Sequence, residues 1–297
     1  MKLTDQLLAL LVTFIWGTNF VAIEMGLTEL PPFLFATLRF VLVVLPLVFF
    51  MPKPKVAWRY LIAYGVLIGL GQFGLLFWAI RDNITPGLAS LVVQTQVFFT
   101  ILLSVFLFQE AVKSVQWLAV GISFCGLLII AIFTDGETTL IGLVVVIGAA
   151  MGWAGGNLVV KKAKPADMIS FIVWSSIFAI FPLAAMSFVF VGAETIVSAV
   201  ANLSLTGWGV VVWQALGNSI IGYGLWNMLL NRYPASTVTP WALMIPVFGM
   251  LSSSLFLGET MPWWKWLAAA LVMAGLAVNL LAQRRAKKIQ AANPYST

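Results

Sequence analysis

Residues 140–160 read LIGLVVVIGAAMGWAGGNLVV, and Lys161 and Lys162 follow at once. The run carries no charge, and its length matches the roughly 20 helical residues needed to cross a hydrocarbon core of about 30 Å. Lipid offers backbone amides no outside partner, so the stretch is expected to wind into a transmembrane helix. Gly148, Gly152 and Gly156 recur every four residues, a stripe that lets a neighbouring helix approach closely. Trp153 and Asn157, four apart, share a face and bring an indole and an amide together inside an apolar segment.

The rest of the chain repeats this plan. Of 297 residues, 62% are hydrophobic and 9% charged, against about 45–50% and about 25% in soluble domains. Further apolar runs lie at about 7–27, 32–51, 58–80, 87–108, 115–133, 169–191, 207–230, 235–257 and 263–282. With 140–160 they predict an all-α integral membrane protein of ten transmembrane helices. Pro31, Pro32, Pro52, Pro54, Pro86, Pro165, Pro234 and Pro262 mark the boundaries. The first run lacks a small-residue cleavage site and is read as retained. With the N-terminus inside, Lys2, Lys53, Lys55, Arg59, Lys113, Lys161, Lys162, Lys164, Arg232, Arg284, Arg285, Lys287 and Lys288 share the inner face. Only Arg81 and Lys265 fall outside. This bias predicts a multi-pass protein of the plasma (bacterial inner) membrane with both termini cytoplasmic. Residues 283–297 form a basic cytoplasmic tail.

The composition also excludes chemistry. There is no His and one Cys, Cys125, inside an apolar run, so Cys/His metal sites, disulfide frameworks and His-based catalysis are absent. The net charge of +6 resides in short loops beside apolar runs, which speaks for topology and against nucleic acid. An intramembrane enzyme would need a nucleophile–base pair, paired carboxylates or metal ligands, and a channel would need a filter-like loop or charged rings. Neither set is present. No Gly-x-x-x-x-Gly-Lys-Ser/Thr motif appears, so transport would draw on a gradient or on the substrate itself. No cofactor or metal is expected.

The chain matches itself at a long offset. Trp117-Leu118-Ala119 recurs as Trp266-Leu267-Ala268, with Glu110 on Glu259 and Gly126 on Gly275. One residue less puts Gly74 on Gly222, Trp78 on Trp226, Asn83 on Asn231 and Pro86 on Pro234. Earlier, Trp16 falls on Trp153, Asn19 on Asn157 and Pro46-Leu47 on Pro182-Leu183. The difference in offset is assigned to a long loop at 192–206. Five helices per half would turn the second half upside down, giving two inverted five-helix repeats with a site between them near the midplane. One chain would then supply the whole pathway as a monomer.

Here the sequence resembles a known family. Ile15-Trp16-Gly17-Thr18-Asn19-Phe20, Pro31-Pro32 and Leu38-Arg39-Phe40 look like the start of an EamA-type repeat, as do Gln109-Glu110, Gln116–Gly121 and Gly126. Gly258-Glu259, Lys265–Ala268 and Gly275 repeat the pattern. The resemblance is to the drug/metabolite transporter superfamily. It implies ten helices, EamA-type repeats at 5–133 and 140–282, and efflux of amino acids or related metabolites. Gln94-Thr95-Gln96 and Gly222-Tyr223-Gly224-Leu225-Trp226 are most similar to the cysteine and O-acetylserine exporters. The chain departs from that branch at Glu24, where related exporters can carry a basic residue. Multidrug, aromatic-amino-acid or nucleotide-sugar-like transport within the superfamily is the alternative.

Candidate substrate-binding residues are the polar and aromatic groups inside the runs: Trp16, Asn19, Gln72, Gln94, Gln96, Trp153, Asn157, Asn218, Ser219, Tyr223 and Trp226. An uncharged wall of amides, hydroxyls and rings suits a small zwitterion; the plainer alternative is hydrogen bonding between helices. Gln94 and Gln96 lie about 200° apart on an α-helix, so at most one should face the pathway. Glu24 and Arg39 are the charges within runs, close enough to meet as an ion pair. Otherwise they would act as a proton carrier and a carboxylate-attracting cation. Pro240 and Pro246 should kink the ninth run, as a hinge or simply to shape the cavity. Glu110 and Glu259 are read as caps of the helices that follow them, and Trp263, Trp264 and Trp266 as an interfacial belt.

Overall fold

A computed structural model describes residues 1–109, 114–133, 137–233 and 238–292. The described residues are helical, with no strand among them. In chain order they form α1 (Leu3–Leu27), α2 (Pro32–Val44), α3 (Trp58–Asp82), α4 (Pro86–Leu107), α5 (Ser114–Ile132), α6 (Leu140–Ala163), α7 (Met168–Ala201), α8 (205–232), α9 (Met244–Leu257) and α10 (Trp263–Ala292). Eight of the helical segments among the described residues are long and apolar enough to cross a bilayer; α8 and the shorter segment Trp241–Leu257 are not among them. In α8, Gln214, Asn218, Ser219 and Asn227 dilute the apolar run. Glu110, Lys113 and Pro234 lie outside the described residues.

Several boundaries differ from the sequence reading for identifiable reasons. The second run stops at Val44 and resumes as a 3₁₀ turn, Leu47–Phe49, because Pro46 lacks an N–H and forces the residue before it out of the helical region. The expected loop at 192–206 is largely helical: Gly192 at φ 76° breaks the direction of α7, and the chain winds on to Ala201. Pro240 and Pro246 do not kink one continuous helix. A 3₁₀ turn, Thr239–Leu243, runs into α9, and each proline falls in a first turn, where its missing N–H has no helical partner to lose.

The packing has a regular order. Helix α1 packs on α8 and α9, and α6 packs on α3 and α4. Helix α2 lies on both α7 and α8, and α3 on α7 in turn. Finally α4 pairs with α9, and α5 with α10. The last pair is reciprocal. A Cβ at Gly126 would meet the Ala268 carbonyl at 2.9 Å and Val272; one at Gly275 would meet the Ala119 carbonyl at 2.6 Å and Ser123. The order of these contacts makes the two helices antiparallel. Glycine stripes act likewise in the interior: a Cβ at Gly152 would stand 2.6 Å from the carbonyl carbon of Gly71.

Side chains fasten the ends. The Asp5 carboxylate accepts from Arg232 at 3.0 Å and from the Tyr233 hydroxyl at 2.6 Å, tying α1 to α8. At the other end Glu29 accepts from the Ser204 N–H and hydroxyl, and these bonds hold its carboxyl below the usual carboxylate range. Glu259 caps α4 rather than α10, accepting from the Gly87 N–H at 2.9 Å, the Thr85 and Ser253 hydroxyls, and Lys265 Nζ at 3.2 Å. Lys265, expected in an outer loop, is therefore fully buried. Trp264 is buried beside it, so only Trp263 and Trp266 are exposed as belt residues.

Two outcomes follow. Gly126→Ala and Gly275→Ala should each destabilise by about 1–3 kcal/mol through overpacking, whereas Gly121→Ala, which meets nothing within 4 Å, should be neutral or stabilising; thermal unfolding in detergent measures this. Glu259→Ala breaks a buried ion pair and should cost about 3–5 kcal/mol, while the double variant Glu259→Gln with Lys265→Met should recover part of the loss in the same assay.

Candidate substrate cavity

The sequence builds the cavity by turning polar residues inward where helices lose regular winding. Helix α3 is π-wound over Leu67–Gly74, which carries Gln72, and α8 over Trp213–Ile221, which carries Gln214, Asn218 and Ser219. Such i→i+5 stretches are rare and concentrate at functional sites. Helix α4 passes through a 3₁₀ turn, Val93–Thr95, between Gln94 and Gln96.

The 3₁₀ turn, through Gln94, borders a cavity of about 430 Å³. Its wall includes Trp16, Gln94, Gln96, Trp153, Asn157, Tyr223 and Trp226. It extends to Val160, Leu230 and Leu280, near the ends of α6 and α8 and beside the basic residues Lys161 and Arg232. A deeper chamber of about 50 Å³ adjoins it, lined by Asn19, Gln72 and Asn218 together with Trp16, Gln94, Trp153 and Tyr223. Phe20, Ile23 and Leu76, all buried, line that chamber too. A side chamber holds Arg39, Tyr64, Phe73, Ser219 and Tyr223. Toward the opposite end a separate cavity of about 300 Å³ is lined by Glu24, Arg81, Asp82, Thr85 and Glu259.

All eleven candidate binding residues therefore line one of three adjoining chambers, and Tyr223 is common to all three. Gln94 and Gln96 both face the wide cavity, against expectation. The angular argument assumed continuous α-winding, which leaves them about 160° apart the shorter way round; three residues per turn narrow this to about 120°, so both can flank one space. Asn19 and Asn157 do not face each other across one chamber: Asn19 lines the deep one and Asn157 the wide one. Glu24 and Arg39 are not brought together, and no ion pair joins them among the described residues.

The hydrogen bonds hold the wall in shape while leaving polar atoms over. Asn157 Nδ2 donates to Gln96 Oε1 at 2.8 Å, Asn19 Nδ2 to Gln214 Oε1 at 3.4 Å, and Trp16 Nε1 to the Asn218 carbonyl at 3.2 Å. The Trp16 ring lies 5.2 Å from Tyr223 and 5.3 Å from Trp226. Gly222 makes room for it, since a Cβ there would sit 2.5 Å from the indole nitrogen. Asn19 Oδ1, Gln72 Oε1, Gln94 Nε2, Gln214 Nε2, Asn227 Nδ2 and Asn279 Nδ2 are buried with no partner among the described residues. Burying such groups unpaired costs free energy, so the wall is suited to a ligand that offers both donors and acceptors.

Sequence reasoning missed Gln214, which accepts from Asn19 without lining a chamber, and Asn227, Asn279 and Tyr64, which line the wide cavity. The first three are polar residues inside apolar runs, the same pattern that singled out Asn19 and Asn157. Tyr64 gives no such indication, because a tyrosine about six residues inside a run reads equally well as an interfacial anchor.

Comparisons with known proteins fit this geometry. The EamA-like transporter family matches residues 4–132 and 140–281. A Salmonella typhimurium protein named "Probable amino-acid metabolite efflux pump" is 38% identical over 96% of this chain and 97% of its own length. An Escherichia coli protein of the same name is 36% identical over 98% and 99%. A solved crystal structure superposes with a TM-score of 0.62 over 96% of this chain and 99% of the other at 18% identity, a likeness of fold alone. Two matched segments covering nearly the whole chain, and two relatives above 30% identity, place the protein in the EamA-like transporter family, as a membrane transporter and not an enzyme.

Proposed function

We propose that the protein is a secondary transporter that exports small polar metabolites, foremost amino acids of the cysteine and O-acetylserine kind, from the cytoplasm. The observation that carries this reading is the uncharged cavity of about 430 Å³ walled by amides, indoles and phenols. A phosphorylated substrate would call for several cations in the wall, and a lipophilic cation for a carboxylate; among the described residues the wide cavity is lined by neither. The names of the bacterial relatives support the same substrate class.

The mechanism is alternating access between two inverted repeats, residues 5–133 and 140–282, each of five transmembrane helices. The reciprocal antiparallel contact of α5 with α10 supports this arrangement. So does the exchange-symmetric packing, in which α1 rests on α8 and α9 as α6 rests on α3 and α4. Both termini are cytoplasmic in an inner membrane. The wide cavity then reaches the cytoplasmic side, while buried Phe20, Ile23 and Leu76 separate it from the outer cavity. A single chain carries both repeats and works as a monomer. The 3₁₀-to-α junction around Pro240 and Pro246 supplies the hinge, because a turn without regular helical bonding bends at low cost.

Counterflow in proteoliposomes with a panel of labelled amino acids tests the reading: wild-type protein should accelerate exchange of at least one small neutral amino acid. Asn19→Ala and Asn157→Ala should lower that rate tenfold or more with monodisperse protein retained; wild-type rates in both would remove the amides from the site. Glu24, whose Oε2 is buried without a partner among the described residues at the outer cavity, is the proposed proton carrier. Glu24→Gln should abolish uptake driven by a pH gradient while sparing counterflow; unchanged gradient-driven uptake would assign the energy to exchange or uniport.

A further inference from the structure

We infer that Arg39 is the carboxylate subsite of the transport pathway, so that the transporter selects substrates with a free carboxyl group; this rests on the transport reading above. Arg39 lies about seven residues into α2, on the order of 10 Å from its outer end, and is 1% exposed. A guanidinium there is costly unless an anion is at hand. No carboxylate pairs with it among the described residues. Its compensation is partial: Nη2 donates to Ser219 Oγ at 2.9 Å, and the Phe73 ring centroid lies 3.5 Å from the guanidinium carbon. Nε and Nη1 are buried with no partner among the described residues.

Two observations make the missing anion a ligand. First, the side chamber borders the pathway: Tyr64 and Tyr223 line both it and the wide cavity, and Phe73 and Tyr223 both it and the deep chamber. Second, the deep chamber offers what an ammonium needs, the unpartnered oxygens of Asn19 and Gln72. A carboxylate on Arg39 and an ammonium at the amides describe a zwitterion held at two points. One guanidinium neutralises one carboxylate but leaves a phosphate dianion undercompensated. Arg39 is thus a binding group that selects by charge count, and Ser219 positions it.

The test uses full-length protein in proteoliposomes, with counterflow of labelled O-acetyl-L-serine and unlabelled L-cysteine or L-cysteine methyl ester as competitors. In wild type the ester should compete about tenfold to a hundredfold more weakly than the acid, the discrimination expected from charge-assisted hydrogen bonds. Arg39→Gln should make acid and ester equal competitors, and Arg39→Lys should restore part of the preference. Removing an unpaired buried charge should leave the melting temperature in detergent unchanged or raised, whereas a structural role would lower it. Equal competition by acid and ester in wild type overturns the inference while leaving transport intact, whatever the variants do. Counterflow that depends on chloride, with the carboxyl group irrelevant, also overturns it. No counterflow of any amino acid by wild type fells the transport reading, and the subsite with it.

Discussion

Hydrocarbon supplies no hydrogen bonds, and every polar side chain in this molecule is disposed by that fact. Away from the centre two networks are matched within the protein: Glu259 gathers four donors from α4, α9 and α10, and Asp5 joins α1 to α8. Around the central chambers the matching is deliberately incomplete, with atoms of Asn19, Gln72, Gln94, Asn227 and Arg39 left over. The same physics that makes the outer network rigid makes the inner one receptive. A packed core would not leave this many groups unpaired.

Close packing sets where that receptive region can be. Backbone contact at Gly71 and Gly152 brings α3 against α6, while the Gly126 and Gly275 contacts clamp α5 to α10. The two clamped helices pack chiefly on each other, and α10 still reaches the wide cavity through Leu276, Asn279 and Leu280. The π-wound stretches of α3 and α8 lie on that inner surface, and their irregular winding turns Gln72 and Asn218 toward a common space.

Much of this was legible in the sequence. Hydropathy and length revealed the membrane helices, and amides interrupting apolar runs revealed the cavity wall, because a polar residue in lipid needs a reason to be there. What escaped was anything set by winding or by partners distant in sequence. Gln94 and Gln96 share a cavity only because a 3₁₀ turn separates them. Lys265 looked like a loop cation until Glu259 claimed it, and Trp264 looked interfacial until that pair drew it inside. Arg39 was visible as an intramembrane charge, but its lack of an acidic neighbour could be read only once α2 was seen against α3 and α8. Pro46 and Gly192 ended helices by local rules that a hydropathy window smooths over.

The wide cavity meets its contents with neutral amides and ring faces. A neutral hydrogen bond contributes only about 0.5–1.5 kcal/mol net, so a few of them give dissociation constants closer to millimolar than to nanomolar. Loose capture means quick escape, since weaker binding is expressed mainly as a faster off-rate. On the export reading proposed above, such a wall would act as a threshold: it stays mostly empty at low substrate concentrations and fills as the substrate accumulates.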